Sequence, residues 1–148
     1  MPESAAVVSR ACRSFENSRY LQDLLSRVPE AINRLCFALL TADLPGEELR
    51  REDIDAGLER LVYDRRNEPE KYLSLFTTAD QRVITAMAKN EPVAHPLGKA
   101  FSQQTGLTAA GVRKILMKLE DQAVVYREDA GCILADPLLK QHLLRFRL

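Results

Sequence analysis

The sequence predicts a mainly α-helical protein with one small β-hairpin near its C-terminal end. Over most of the chain, apolar residues recur at every third or fourth position, which is the spacing that buries one face of a helix. Two short runs, AVVYRE (123–128) and CILAD (132–136), are instead rich in β-branched residues, and Asp129-Ala130-Gly131 lies between them. Turn residues between two such runs predict a hairpin. We therefore expect a helical bundle at 1–72, followed at 73–148 by a domain of helices and one hairpin.

The N-terminal half reads as a series of helices. Ser4 is a predicted N-cap for a first helix that runs to Ser14, and residues 18–28 form a second helix with one apolar stripe made of Tyr20, Leu21, Leu24, Leu25 and Val28. Pro29 suits the first turn of a third helix, 29–42, with Ile32, Leu35, Cys36 and Leu39 inward. Residues 43–49 break the pattern, and residues 51–66 resume it with Ile54, Leu58, Leu61 and Val62 on one face. A short connecting helix is expected at 70–76.

The C-terminal half combines three helices, a hairpin and a closing helix. Thr78 and Gln81 predict a capping box before a helix with Val83, Ile84, Met87 and Ala88 inward. An extended break at 92–96 leads to a short helix that ends at Gly106, a predicted left-handed C-cap. Thr108 caps the next helix, which buries Val112, Ile115, Leu116 and Leu119, and Asp136-Pro137 starts the last one. This order of elements is that of a winged helix-turn-helix, in which the hairpin is the wing.

Composition and charge limit the function classes. Hydrophobic residues make up 46% and charged residues 28% of the 148 residues, as in ordinary soluble globular proteins. The net charge is zero, with −3 on residues 1–76 and +3 on residues 77–148, so any basic face is expected in the C-terminal half. Three widely spaced cysteines, Cys12, Cys36 and Cys132, predict no disulfide framework and a cytoplasmic protein. The longest apolar run, 35–40, is too short to span a bilayer, so no membrane partner is expected.

Catalytic and metal motifs are weak. Gly106 and Gly111 have the glycine spacing of a phosphate-binding P-loop, but Val112-Arg113 follows where Lys-Ser/Thr is needed. A helix C-cap is the better interpretation of Gly106. His95 and His142 are far apart, no Cys or His pair has ligand spacing, and structural roles are expected for both, with His142 on a helix surface. We therefore expect no enzyme, no bound metal and no cofactor in this chain.

The candidate contact surface lies on helix 108–121. Its outward side carries Thr108, Ala109, Ala110, Arg113, Lys114, Met117 and Lys118. A helix-turn-helix inserts the start of this helix into the major groove, where Arg and Lys meet guanine edges and phosphates. The charge of the wing disfavours DNA binding, because Glu128 and Asp129 would face phosphate groups and only Arg127 offsets them. Double-stranded DNA binding is thus expected to be weak and salt-sensitive, and a protein-binding surface stays the alternative.

The two halves together resemble the C-terminal part of P-loop ATPases of the AAA+ and archaeal-type group, in which a helical lid and then a winged helix follow the nucleotide-binding core. In the winged helix the resemblance rests on Thr78-x-x-Gln81-Arg82, Leu116-x-x-Leu119, Val125-Tyr126-Arg127 and Asp136-Pro137. In the lid it rests on RVPEAINRLCFALL (27–40) and REDIDAGLERLV (51–62), so that it covers roughly residues 15–145.

One lid feature departs from that family. Related lids carry two glycines before the hydrophobic-Pro-Arg segment, and the Arg after Pro senses the γ-phosphate of the nucleotide. Here Ser26 and Arg27 replace the glycines and Glu30 replaces the Arg, so the sensor role does not carry over to position 30. Arg27 and Arg34 are the weak substitutes, with surface salt bridges as the alternative role for both.

The resemblance implies a non-catalytic C-terminal module whose missing ATPase core binds ATP and Mg. Met1 would then be the start of a fragment. The winged helix would engage a partner protein, a neighbouring subunit or nucleic acid. The alternative is a free-standing winged-helix transcriptional regulator that dimerises through 1–72 and reads DNA with helix 108–121. A pure protein-interaction adaptor is a third possibility.

Overall fold

The computed structural model of the protein describes residues 15–42 and 49–147. The predicted helix between Ser4 and Ser14, Cys12 and residues 43–48 of the predicted break at 43–49 lie outside the described residues. Within them, the fold is mainly helical, with eight helices and one two-stranded antiparallel hairpin, as predicted. The chain divides into two compact units after Arg66, ahead of the predicted 72/73 boundary. Each unit has a core of its own.

The first unit is built from helices α1 (Phe15–Leu24), α2 (Pro29–Thr41) and α3 (Arg51–Asp64). Pro29 occupies the first turn of α2, as predicted, because its missing N–H is not needed there. The core consists of apolar side chains from all three helices and the segments beside them, namely Leu21, Leu25, Ala31, Leu35, Cys36, Leu39, Leu49, Ile54, Leu58, Leu61 and Val62. Of the predicted inward residues, Tyr20, Leu24, Val28 and Ile32 are only partly buried.

The prediction of one helix over residues 18–28 is wrong at both ends. Helix α1 already includes Phe15 and stops at Leu24. It stops there because Ser26 and Arg27 both adopt left-handed backbone angles, with φ of 52° and 58°. A right-handed helix cannot continue through such residues. Glycine at these positions would have predicted the bend, but the sequence has serine and arginine there.

The second unit begins with α4 (Asn67–Leu73) and α5 (Thr78–Asn90), continues with α6 (Lys99–Thr105) and α7 (Ala109–Asp121), and ends with β1 (Val125–Glu128), β2 (Gly131–Leu134) and α8 (Pro137–Phe146). Helix α4 lies earlier than the predicted 70–76, because Pro69 fits inside its first turn rather than before it. The core combines α5, α7, the hairpin and α8, and includes Val83, Ile84, Met87, Val112, Leu116, Leu119, Val125, Leu134, Leu139 and Leu143. Ile115 is partly buried.

The helix caps follow local chemistry. The predicted capping box of Thr78 and Gln81 is wrong by one residue: Thr77 Oγ1 accepts from the Asp80 amide, and the Asp80 carboxylate accepts from the Thr77 amide, both at 3.1 Å. Gln81 instead donates to the carbonyls of Leu73 and Phe76. The other predicted caps are present as left-handed Gly106 (φ 68°), Thr108, which accepts from the Gly111 amide, and Asp136, which accepts from the Leu138 and Leu139 amides.

The hairpin is anchored to the loop before α6. In its register Val125 pairs with Leu134 and Glu128 with Gly131, so the turn consists of residues 129 and 130. The Val93 and Cys132 backbones exchange two hydrogen bonds of 2.9 Å across the other edge of β2. Gly131 has φ of 140°, and a Cβ at this position would lie 2.5 Å from the Val93 carbonyl. Glycine is therefore required at this close approach.

A polar cluster joins α4 to α8. Glu70 Oε1 lies 2.8 Å from His142 Nε2, and the Glu70 carboxylate also accepts two hydrogen bonds from the Arg147 guanidinium. These bonds from Arg147 and His142 lower the pKa of Glu70 to about 2. The prediction that His142 lies on a helix surface is wrong, since only 1% of it is exposed. Because the ionised Glu70 carboxylate can only accept hydrogen bonds, Nε2 is the nitrogen that donates to it, while Nδ1 has no hydrogen-bond partner among the described residues.

Candidate partner-binding face of helix α7

The outward side of α7 and its N-cap form one exposed face. Thr108, Ala109, Ala110, Arg113, Lys114 and Met117 are all exposed, as the sequence predicts, because Val112, Leu116 and Leu119 point the other way into the core. We call these six exposed residues the α7 face. Among the described residues, neither Arg113 nor Lys114 has a hydrogen-bond or ion-pair partner. Their charges are therefore free to meet an anionic group, and the two alanines leave room for close approach.

Lys118, predicted to belong to the same contact surface, is engaged within the unit. Its Nζ lies 2.5 Å from Asp80 Oδ2, and the Asp80 side chain is almost completely buried. Burial raises the pKa of Asp80, but hydrogen bonds from Lys118 and Thr77 outweigh it, so that its pKa lies below the usual value. Lys118 thus neutralises the buried carboxylate of the α5 capping box and holds α7 against α5. This partner lies 38 residues away in the sequence, where no local signal indicates it.

The wing offers little positive charge. Arg127 Nε donates to Glu120 Oε1 at 2.8 Å, and this hydrogen bond raises the pKa of Arg127. Glu128 and the turn residue Asp129 are exposed and carry no basic partner among the described ion pairs. The one cation that the sequence assigns to the wing is therefore already neutralised, and the wing tip presents carboxylates.

A groove runs between α7, the loop at 94–98 and strand β1. Its volume is about 680 Å³, and it is lined by Ala94, His95, Pro96, Leu97, Gly98, Arg113, Leu116, Met117 and Arg127. Two of its large apolar side chains are strongly exposed, Met117 by 58% and Leu97 by 45%. Sequence reasoning missed the loop residues, because the extended break at 92–96 was interpreted only as a connection. An apolar groove with Arg113 beside it is the most distinctive feature of this surface.

The two arginines considered as nucleotide-sensing candidates are each engaged by a carboxylate four residues earlier in the chain. Arg27 Nε lies 3.2 Å from Asp23 Oδ1, and Arg34 Nη2 lies 3.1 Å from Glu30 Oε1. These pairs fit the salt-bridge role that was the alternative to nucleotide sensing. Both are at least partly exposed, so each stabilises the unit by only about 0.2–1 kcal/mol.

Other classes of site are not found in the part of the chain that the structure describes. No group of three or more His, Cys, Asp or Glu side chains could hold a metal ion at residues 15–42 and 49–147. Cys36 and Cys132 are free and buried, and burial raises the pKa of both thiols. Over the same residues, no helix has the length and apolar character that crossing a membrane requires.

Helices α5, α6 and α7, the two-stranded wing and the closing helix α8 form a winged helix-turn-helix within the second unit. A family model described as "Probable winged helix domain" matches residues 69–145, just over half of the chain. The chain belongs to this winged-helix family. Such domains bind DNA or proteins and typically carry no catalytic machinery. No curated protein and no solved structure matches the chain.

Proposed function

We propose that the chain is the non-catalytic C-terminal module of a P-loop ATPase, and that its winged helix engages a partner protein or neighbouring subunit through the α7 face and the adjoining groove. The observation that carries the protein partner is the groove itself. It exposes Met117 and Leu97 beside the unpaired guanidinium of Arg113. Exposed apolar side chains next to a free cation suit a protein surface, since the centres of protein interfaces combine apolar anchors with arginine.

The electrostatics of the same surface argue against DNA as its main partner. Lys118 is engaged by Asp80 and Arg127 by Glu120, so only Arg113 and Lys114 remain to neutralise phosphates. Two phosphate contacts give a salt dependence of about −1.8 in log affinity per log salt. Glu128 and Asp129 on the wing would meet a DNA backbone with like charge. Binding through this face is therefore expected to be weak.

Two features of the first unit support a lid. Ser26 and Arg27 take left-handed angles at the two positions where the resembling ATPase lids carry glycine, the residue best suited to such angles. Pro29 then starts α2 in the place where those lids have proline. ATP and Mg would bind the missing core in this proposal. Arg27 and Arg34, whose salt bridges are exposed and weak, would be the residues able to turn toward its phosphates.

The first unit also exposes a surface that a missing core could cover. A groove of about 670 Å³ between α2 and α3 is lined by residues that include Phe37, Arg34, Arg60 and Leu61. Phe37 is 60% exposed, which is unusual for a phenylalanine in a unit with a well-filled core. We propose this groove as the contact for the ATPase core.

The coding frame upstream of Met1 tests the parent protein. The proposal predicts that the frame continues and encodes Gly-x-x-x-x-Gly-Lys-Ser/Thr after a hydrophobic strand. A stop codon directly upstream, with Met1 as the native start, would contradict it. Sedimentation of the isolated chain gives a second test, because a module separated from its core is expected to be a monomer. A cytoplasmic location is part of the same proposal.

A DNA-binding transcriptional regulator is the second candidate, favoured by the unpaired Arg113 and Lys114 beside the small Ala109 and Ala110. It requires a stable dimer formed by residues 1–72 and a native start at Met1. It also requires that DNA binding depend on Arg113 and Lys114. These three outcomes together would replace the ATPase module by the regulator.

A further inference from the structure

A second cleft lies between α5 and the end of α6, and it shares no residue with the groove beside α7. Its volume is about 700 Å³, and its lining residues are Thr78, Gln81, Arg82, Thr85, Ala86, Lys89, Asn90, Gln103, Gln104, Thr105, Gly106 and Arg147. All but Ala86 and Gly106 have polar or cationic side chains. None of the described residues that line the cleft is Asp or Glu.

The surrounding sequence has almost no acidic residues. From Thr78 to Leu119 there are two, Asp80 and Glu91, and Asp80 is buried and paired with Lys118. The Glu91 side chain is only 6% exposed, and it is consumed by an ion pair of 2.8 Å with Lys140 and a hydrogen bond from the Leu134 amide. Neither α5 nor α6 therefore has an exposed carboxylate that could offset the positive charge of these helices.

The cations of the cleft are arranged along a line rather than around a point. Arg82 and Lys89 are exposed and have no hydrogen-bond or ion-pair partner among the described residues. They are seven residues apart on α5, which places them on the same side of the helix about 10 Å apart. Two cations at this spacing suit an extended anion with repeated charges better than a single phosphate.

Arg147 adds fixed hydrogen-bond donors. Three of its N–H groups are held by Glu70 and Gln81, and a guanidinium has five. Its charge is largely offset by Glu70, but two donors remain in a rigid position at the edge of the cleft. The hydroxyls of Thr78 and Thr85 and the amide of Gln103 provide neutral donors of the kind that contact phosphate oxygens.

We propose that this cleft binds the sugar–phosphate backbone of a nucleic acid, separately from whatever the α7 face engages. No aromatic side chain is among the described residues that line the cleft, so these offer bases nothing to stack on. Recognition through Arg82, Lys89 and the fixed donors is therefore independent of sequence. The winged helix would then touch protein with one surface and nucleic acid with another.

Fluorescence anisotropy of a labelled, mixed-sequence DNA duplex tests the cleft at roughly 50 and 200 mM salt. The test variant is Arg82→Gln with Lys89→Gln, and the matched control is Arg113→Gln with Lys114→Gln. Both remove two exposed, unpaired cations from the second unit, so they change the overall charge equally and differ only in place. Thermal unfolding followed by circular dichroism should give the same melting temperature for both variants and the wild-type chain. If a double variant unfolds at a lower temperature, its two single substitutions are measured separately instead.

The wild-type chain is expected to bind the duplex. When the salt rises from the lower to the higher concentration, its affinity should fall by a factor about ten times larger than that of the cleft variant, because two phosphate contacts contribute about 1.8 to the slope of log affinity against log salt. The control variant is expected to keep the wild-type slope. An absence of duplex binding at the lower salt, or an equal loss in both variants, would overturn the proposal. So would displacement of the duplex by tripolyphosphate as efficiently as by unlabelled duplex, since a compact polyphosphate would then be the ligand. An equal loss in both variants would also count against the protein partner of the α7 face, because it would place DNA on Arg113 and Lys114, whereas the other outcomes leave that partner untouched.

Discussion

Two lysines one turn apart on α7 have different surroundings and should respond differently to substitution. Lys118 neutralises the buried Asp80, whereas Lys114 extends into solvent without a partner among the described residues. We expect Lys118→Met to lower the free energy of unfolding by about 1–3 kcal/mol, because it leaves a buried carboxylate without its cation. The matched change Lys114→Met should stay within about 0.5 kcal/mol of wild type. Urea denaturation of both variants makes the comparison, and equal stabilities would contradict the structural role of Lys118.

Glu70 gives the molecule a specific pH dependence. Hydrogen bonds from Arg147 and His142 lower its pKa from 4.5 to about 2. A carboxyl with a lowered pKa in the folded state contributes stability that is fully present above pH 4.5 and is lost as the pH falls toward 2. Glu70→Gln should therefore lower stability at neutral pH by roughly 1 kcal/mol, a value reduced by solvent screening of this half-exposed side chain.

Chemical denaturation of wild type and Glu70→Gln over the acid range measures this contribution. The stability difference between the two proteins should be constant above pH 4.5 and shrink as the pH approaches 2. A stability difference that stays constant down to pH 2 would show that Arg147 and His142 do not lower the pKa of Glu70 in the folded protein.

Individual side chains show how far local reasoning reaches. The cap at Thr108 and the inward positions of α7 could be predicted because they depend on neighbours within four residues. The burial of His142 had a signal that was not used, since it lies on the apolar stripe that includes Leu139 and Leu143. Its partner Glu70 had none, because it is 72 residues away.

The wing is the element whose geometry depends most on one residue. Gly131 has a φ of 140°, and a Cβ at this position would lie only 2.5 Å from the Val93 carbonyl group. Because the clash is with the Val93 main chain, no side chain can move to relieve it. We expect Gly131→Ala to destabilise the second unit by about 2 kcal/mol or more.

Gly111→Ala is the matched control for that substitution. Gly111 lies inside α7, where an added Cβ would meet the Thr108 hydroxyl at 3.3 Å and alanine favours the helix. Its effect should stay within about 1 kcal/mol. Thermal unfolding of the two variants decides between them, and a Gly131→Ala protein as stable as wild type would show that the wing is not anchored on Val93.

Helices and strands were largely predictable, and the errors lie at their ends. Apolar periodicity located α2, α3, α5 and α7, because each buries one continuous stripe. Helix α1 ends early at left-handed Ser26 and Arg27, two residue types that rarely adopt such angles. The types of these two residues gave no signal of the bend.

At the scale of the whole molecule, the net charge of zero conceals its functional surfaces. The family match at residues 69–145 lies within the second unit, which begins at Asn67. The α7 cations could be found in the sequence because they share one helix face. Arg82 and Lys89 likewise share one side of α5, but Arg147 and residues 103–106 come from other parts of the chain and join them only in the folded unit.

Chemical-shift mapping of duplex DNA on the isotope-labelled chain tests most directly whether the α7 face is reserved for protein. Amide shifts are expected to cluster on residues 78–90 and 103–106 of the nucleic-acid cleft, with residues 108–117 of the α7 face unchanged. Shifts concentrated on Ala109, Ala110, Arg113 and Met117 would instead place DNA on the α7 face. That result would contradict the protein-binding role of α7 and make the chain a DNA-reading winged helix.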